Sequence, residues 1–331
     1  MNHTIVLLGA LLLLAAGTLL AALLSGSADV SPAEALQALQ GTGSDAMHAI
    51  VVELRLPRAL TAFAVGGLLA VSGVLMQVLL RNPLAEPYIL GSSGGAAVAA
   101  LLAMLVGAGA VLVDSAAFAG AMVANLLVFW IAQGSGNWTP TRLLLTGVVL
   151  AAGFSAATTL LLALSPDQQL RGMLFWLMGD LSFAHEPARL LWLLGLITAG
   201  ATLAARHLNI LSRGELEAAI LGMRVGTFRL ALFGVTALAT AISVTAVGVI
   251  GFIGLVVPHA VRLLAGSDHR IVVPASALAG GCLLVVADTV ARSALAPRQL
   301  PVGALTAALG VPIFLFLMSR RRGLSARPLL Q

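Results

Sequence analysis

Asp288 and Arg292 lie four residues apart in a long apolar run, and few other residues in this chain are placed to do chemistry. On a helix that spacing makes them neighbours, so they read as an ion pair held inside a nonpolar segment. The alternative chemistry, a proton relay, needs further acids at depth, and the apolar runs supply none as clear. Asp180, just after Trp176 and Gly179, is positioned to face an outer cavity. His3, His48, His185, His207, His259 and His269 show no metal-ligand spacing. His259 follows a proline and reads as a packing or capping residue. The single cysteine, Cys282, excludes an intrachain disulfide and a Cys-based metal site. The runs contain no nucleophile–base pair and no cluster of His, Asp and Glu, so an intramembrane enzyme finds no support. A Gly-rich phosphate loop ending in Lys-Ser/Thr is also missing, so this chain is expected to bind no nucleotide or other cofactor itself.

The elements holding these residues follow from composition. The 331 residues are 60% hydrophobic and 9% charged, with a mean hydropathy of +1.04. Soluble domains carry about 25% charged residues. A soluble chain this apolar could not cover its surface, which makes it a polytopic membrane protein. All 18 basic residues are arginines. They form no basic stripe interleaved with aromatics, so nucleic acid is not an expected partner. Ile5 to Leu24 is long enough to span a bilayer and has no Lys or Arg before it. It therefore reads as a retained first span rather than a signal peptide.

Apolar runs separated by polar, Gly or Pro punctuation predict ten membrane helices, at about 4–24, 57–80, 90–107, 115–133, 140–164, 188–206, 227–249, 256–266, 272–293 and 304–319. The fold class is thus an all-α polytopic membrane protein, one transmembrane domain over residues 1–331. The eighth run is too short to span alone. Pro258 is expected to open it as a half-helix after irregular backbone from Gly248 to Gly254, which survives at membrane depth only inside protein or along a wet cavity. Two non-spanning helices are expected. Pro32 to Leu39 has Ser31 as cap and Pro32 at its first position; Gln169 to Met178 is the other. Gly66-Gly67, Gly91 to Gly95 and Gly147 to Gly153 read as faces for close helix packing.

Arginine placement sets the orientation. With the C-terminus inside and the spans alternating, Arg81, Arg142, Arg206, Arg213, Arg224, Arg229, Arg262, Arg270, Arg320, Arg321, Arg322 and Arg327 fall on the cytoplasmic side. Arg55, Arg58, Arg171, Arg189, Arg292 and Arg298 fall outside, giving twelve against six. Most acids join the outer group, including Asp29, Glu34, Asp45, Glu53 and Asp114. Both termini are therefore expected in the cytoplasm.

Two polar connections stand out. Arg81 to Gly95 carries Pro83 and Pro87, which cannot continue a helix, and Asn82 and Glu86, which do not belong in hydrocarbon. It reads as a short rigid turn between spans. The connection from Arg206 to Thr227 places Leu211, Leu216, Ala219, Ile220 and Met223 at helical spacing. Ser212 can cap this helix, Glu215 follows three residues later as in a capping box, and Gly222 can end it. Its apolar face needs cover, from the bilayer interface or from a soluble partner.

The wording of these segments resembles one transporter family. Arg-Leu-Pro-Arg at 55–58, Arg-Asn-Pro-Leu-Ala-Glu-Pro at 81–87, Leu-Ser-Arg-Gly-Glu at 211–215 with Leu221-Gly222, Gly-Phe-Ile-Gly-Leu-Val-Val-Pro-His at 251–259 with Arg262, Asp-His-Arg at 268–270 with Pro274, and Leu-Pro-Val-Gly at 300–303 leading to Leu309-Gly310-Val311-Pro312 occur in family order. They are similar to the permeases of ABC importers for iron-siderophores, haem and cobalamin, a type II importer architecture, over roughly Val52 to Met318. The resemblance implies two permease copies around a central pathway, two ATP-binding cassette ATPase subunits below, and a periplasmic substrate-binding protein above. ATP and magnesium would be bound by those ATPases, in the bacterial inner membrane system. Carried over residue by residue, it implies a cytoplasmic gate at Asn82, Pro83, Leu84 and Thr141, where Pro140 departs from the family's more usual hydroxyl residue. It implies ATPase coupling through Ser212, Gly214, Glu215, Leu216, Leu221 and Gly222. It implies docking of the binding protein on Arg55, Arg58 and Arg292, whose planar forks suit carboxylates; the plainer role for such arginines is to anchor helix ends by snorkelling. Arg298 is a weaker fourth.

The competing reading is a secondary transporter driven by protons or sodium. It predicts several acids near the midplane and broken helices in both halves. Asp288 meets that only in part, and the coupling segment would have no purpose.

Overall fold

The computed structural model describes residues 2–26, 28–134, 138–182, 186–296 and 298–325, with side chains from Thr4 to Phe316. His185 and Arg327 lie outside the described residues, as do the side chains of His3, Arg320, Arg321 and Arg322.

The described chain is helical throughout. In order, it forms α1 (Asn2–Leu24), α2 (Pro32–Leu39), α3 (Asp45–His48), α4 (Leu56–Leu79), α5 (Ser92–Leu105), α6 (Ala110–Gln133), α7 (Pro140–Leu164), α8 (Asp167–Leu177), α9 (Pro187–Leu203), α10 (Ala205–Arg213), α11 (Glu215–Ile220), α12 (Val225–Val247), α13 (Ile253–Ala265), α14 (His269–Ser293) and α15 (Val302–Ser325). Each of the ten predicted runs is a helix: α1, α4, α5, α6, α7, α9, α12, α13, α14 and α15. Six stretches are long and apolar enough to cross a membrane alone, and the pair α9–α10, bent by 60°, makes a seventh. α5 and α13, at 14 and 13 residues, are shorter than a full crossing.

α4 is the axis of the fold. A π-helical stretch, Ala49–Arg55, joins α3 to α4, so one 35-residue rod runs from Asp45 to Leu79. The second span therefore begins well before residue 57, and Arg55 and Arg58 stand on helix rather than ahead of it. Helices in lipid gain nothing from burying apolar surface against one another, so small residues and close backbone approach decide the packing. A Cβ at Gly66 would collide with the carbonyl oxygen of Gly280 on α14, and one at Gly73 with that of Gly254 on α13. At Gly67 it would lie 2.8 Å from Leu194 on α9. Three helices thus close on α4 through its glycines. Gly95 and Gly120 clamp α5 to α6 the same way. The expected packing face at 147–153 is used at one end only: Gly147 meets the Ile89 carbonyl, whereas nothing lies within 4 Å of a Cβ at Gly153.

The broken eighth segment differs from expectation. Its helix starts at Ile253, not near Pro258, which lies inside it. Irregular backbone covers Gly248 to Phe252, with Gly248 at φ 73° and Phe252 at φ 71°. Two side chains from elsewhere make this possible. The Phe252 N–H donates to Glu86 Oε1 at 2.8 Å, so Glu86 caps α13 across space. Pro258 has no N–H to offer the carbonyl four residues back, at Gly254. That oxygen accepts instead from Gln77 Nε2 of α4, at 3.3 Å. Gln77 Oε1 in turn accepts from Arg262 Nη1, so the buried amide ties α4 to both halves of α13.

α2 forms as predicted: Ser31 and Glu34 complete a capping box ahead of Pro32. α8 begins at Asp167, two residues earlier than expected.

Candidate coupling and gate site

Arg81 with Glu215, and Arg58 with Asp288, pair near opposite ends of α4, whose 24 residues span about 36 Å at 1.5 Å per residue. At its C-terminal end, α4 stops at Leu80 and Arg81 turns the backbone into the left-handed region, φ 48°. The turn that follows is locked locally. Asn82 Oδ1 accepts from the Leu84 N–H at 2.9 Å, and the Ala85 N–H donates to the Asn82 carbonyl at 3.0 Å. Pro83 and Leu84 are exposed at its tip. Thr141, the other expected gate residue, is exposed in the first turn of α7, where Thr139 caps the helix by accepting from the Arg142 N–H at 3.2 Å.

The connection between α9 and α12 is two short helices, not one. Ser212 does not cap the second. It lies in the last turn of α10, where its hydroxyl donates to the Asn209 carbonyl at 2.8 Å. Gly214 holds the cap position of α11 without a side-chain bond. The expected capping box fails because Glu215 is occupied elsewhere: its Oε2 accepts from Arg229 Nη1 at 2.9 Å and its Oε1 lies 3.9 Å from Arg81 Nη2. Gly222 ends α11 as predicted, at φ 79°. Leu211 and Ala218 are buried, while Leu216, Ile220 and Leu221 are 75%, 76% and 68% exposed. α10 is fixed to α14 through Asn209, whose amide donates to Asp268 Oδ1 at 2.8 Å and whose oxygen accepts from the His269 N–H at 3.0 Å. The Arg270 backbone N–H and then the Asn209 amide hold the Asp268 carboxyl below the usual carboxylate range.

At the other end of α4, Asp288 takes a different first partner from the one its spacing predicts. Arg58 grips it with Nε at 2.9 Å and Nη2 at 2.8 Å, a two-pronged pair, while Arg292 Nε lies at 3.8 Å. Arg292 donates to the carbonyls of Ser25, at 2.6 Å, and Ala22. Arg55 donates to those of Leu23, at 2.8 Å, Leu24 and Ala28. These two arginines satisfy the carbonyls that the end of α1 leaves free. Arg58 Nη1 reaches Gln299 at 3.2 Å and Ser182 at 3.4 Å. Asp180 accepts from the Ser182 N–H at 2.7 Å and so shapes this same surface.

The sequence matches the FecCD transport family over residues 10–320. The chain belongs to that family. Among FecCD relatives it is 43% identical over 298 residues to the hemin transport system permease protein HmuU of Yersinia pestis, covering 84% of this chain and 86% of that protein. It is 42% identical to the cobalamin import system permease protein BtuC of Halobacterium salinarum, over 82% of this chain and 74% of that one. It is 41% identical to the vitamin B12 import system permease protein BtuC of Escherichia coli, over 82% and 84%. A solved structure of a transporter assigned to the metal-chelate ABC type, in an inward-facing conformation, superposes with a TM-score of 0.84 at 30% identity, covering 95% of this chain and 98% of that one. The family resemblance in the motifs is thereby borne out: this FecCD chain is a polytopic transport subunit, and ATP hydrolysis belongs to a separate subunit.

Two residues central to this FecCD site were missed in the sequence. Arg229 sits five residues into α12, and its guanidinium lies 3.6 Å from the centre of the Trp138 ring. Gln77 binds α13. Each had a signal, a polar residue within an apolar run, but only the fold shows what it holds.

Proposed function

We propose that this chain is the membrane-spanning subunit of an ATP-driven importer that moves a metal chelate, an iron-siderophore, haem or cobalamin, from periplasm to cytoplasm by alternating access. One observation carries the reading. α11 presents Leu216, Ile220 and Leu221 uncovered at the bundle end that also holds the gate turns. A soluble ATPase subunit covering those side chains would act within a few residues of the gate.

The rest of the assembly follows from the family and the charge pattern. Two copies of the chain pair around the pathway. Both termini lie in the cytoplasm, in accord with the arginine count. A binding protein docks on the opposite end through Arg55, Arg58 and Arg292. Arg58 is the more exposed of the two arginines around Asp288, its side chain 14% exposed against 9% for Arg292. Asn82, Pro83, Leu84 and Thr141 form the cytoplasmic gate, their backbones held by the Asn82 turn and the Thr139 cap.

The test is co-purification and ATPase activity of the chain with a cognate ATPase in lipid nanodiscs, with and without the binding protein. Leu216→Arg and Ile220→Arg are expected to abolish co-purification while leaving the permease folded. Retained binding in both variants would overturn the docking surface.

A further inference from the structure

Glu215 stands where three elements meet, one oxygen facing α12 and the other the turn after α4. Oε2 accepts from Arg229 Nη1 of α12 at 2.9 Å. Oε1 lies 3.9 Å from Arg81 Nη2, in the turn that follows α4 and just before Asn82. Arg229 is in turn fastened to Trp138 at two points. Its Nη2 donates to the Trp138 carbonyl at 3.0 Å, and its guanidinium stacks 3.6 Å from the ring centre. Trp138 packs edge-on against Phe129 at 6.0 Å, and Phe129 against Phe233 at 5.2 Å. Trp138 is followed directly by Thr139, the cap of α7, and then by Pro140 and Thr141.

We propose that Glu215 is a positioning residue that carries movement of α11 to both gate turns at once, through Arg81 to Asn82 and through Arg229 and Trp138 to Thr141. This deepens the importer reading and rests on it.

The two arms differ in stiffness. The arm to Thr141 is closely made: Arg229 is 7% exposed, its Nη1 and Nη2 are at hydrogen-bond distance from Glu215 and the Trp138 carbonyl, and its face is covered by an indole. A charge-assisted contact to a buried, stacked guanidinium resists rearrangement. The arm to Asn82 is long and wet, with Arg81 and Glu215 side chains 44% and 33% exposed. Such a pair is weak and exchanges readily. A displacement of α11 therefore drags the start of α7 with it, while the Asn82 turn is freed or recaptured by a loose ionic contact. Glu215 faces its own chain, so its part lies in transmission, whereas Leu216, Ile220 and Leu221 face outward.

The gate itself supplies the readout. Spin labels at Leu84→Cys and Thr141→Cys, in a Cys282→Ala background diluted with unlabelled chain, report the distance between the two turns in the permease alone. Glu215→Gln and Arg229→Gln are each expected to broaden that distance distribution, and the double variant to broaden it no further. Arg229→Lys and Trp138→Phe, which keep a charge and a ring, should retain most of the original distribution. In the full complex, chelate moved per ATP should fall about tenfold in Glu215→Gln, the scale of one lost charge-assisted contact. An unchanged distribution in Glu215→Gln, or additive effects in the double variant, overturns the proposal. So does loss of ATPase binding in Glu215→Gln with gate distances intact, which would make Glu215 a docking residue. Failure of the unaltered chain to bind any ATPase would sink the importer reading but leave the gate-distance result standing by itself.

Discussion

α4 and α7 are nearly the same length, 24 and 25 residues, and their most apolar windows have hydropathies of 2.1 and 2.0, yet those windows are 89% and 6% buried. Hydropathy reports compatibility with lipid and says nothing about which helix lies at the centre. The difference is in the small residues and in where they recur. Gly66, Gly67 and Gly73 place bare backbone against α14, α9 and α13. α7 makes one such approach, at Gly147, and otherwise turns Leu145, Val148, Val149, Leu160 and Leu164 outward. That outward face on α7 is left uncovered in the single chain.

The most damaging way to test that contrast is a matched pair of glycine substitutions. Gly73→Leu forces side-chain atoms into the Gly254 carbonyl, beyond the ~1–3 kcal/mol of ordinary overpacking. No monodisperse permease should survive detergent extraction. Gly153→Leu, with open space around it, should extract and melt like the parent. Equal behaviour of the two would remove the basis of the comparison. A smaller loss is expected from Gln77→Leu, which leaves the Gly254 carbonyl without its donor and removes the acceptor of Arg262. The cost of a buried unpaired group, ~1–3 kcal/mol, should appear as a lower melting temperature. It should be accompanied by faster hydrogen exchange at the start of α13, and unaltered exchange there would show that Gln77 supports nothing. The mildest effect belongs to α7: Thr139→Ala removes one cap bond and should cost about 1 kcal/mol. Its signature is fraying at Thr141 measured by spin-label mobility, with global melting barely moved.

Much of the fold was legible because polar punctuation in an apolar chain has few physical meanings. Each of the ten runs became a helix, and the capping box at Ser31 and the terminator at Gly222 formed where local chemistry placed them. What stayed hidden was long-range. Ser212 to Glu215 has the spacing of a capping box, but the carboxylate is worth more to Arg229, which is fourteen residues on and part-buried. Asp288 and Arg292 have ion-pair spacing, but Arg58, 230 residues away in sequence, offers two donors in one plane. Pro258 reads as a helix start because a proline inside a helix leaves a carbonyl unpaired, and nothing local reveals that Gln77 pairs it. The turn at Asn82 was legible from its prolines; the contacts that run from Glu215 through Arg229 to Trp138, next to the cap of α7, exist only in three dimensions.

The importer proposal requires that ATP, and not an ion gradient, drive transport through this chain. Uptake of a labelled chelate into proteoliposomes holding the chain, its ATPase and its binding protein tests it most directly, with ionophores present to collapse proton and sodium gradients. The expected uptake requires ATP, persists with the gradients collapsed and disappears with Leu216→Arg. Uptake by the chain alone, driven by a gradient and indifferent to ATP, would contradict it.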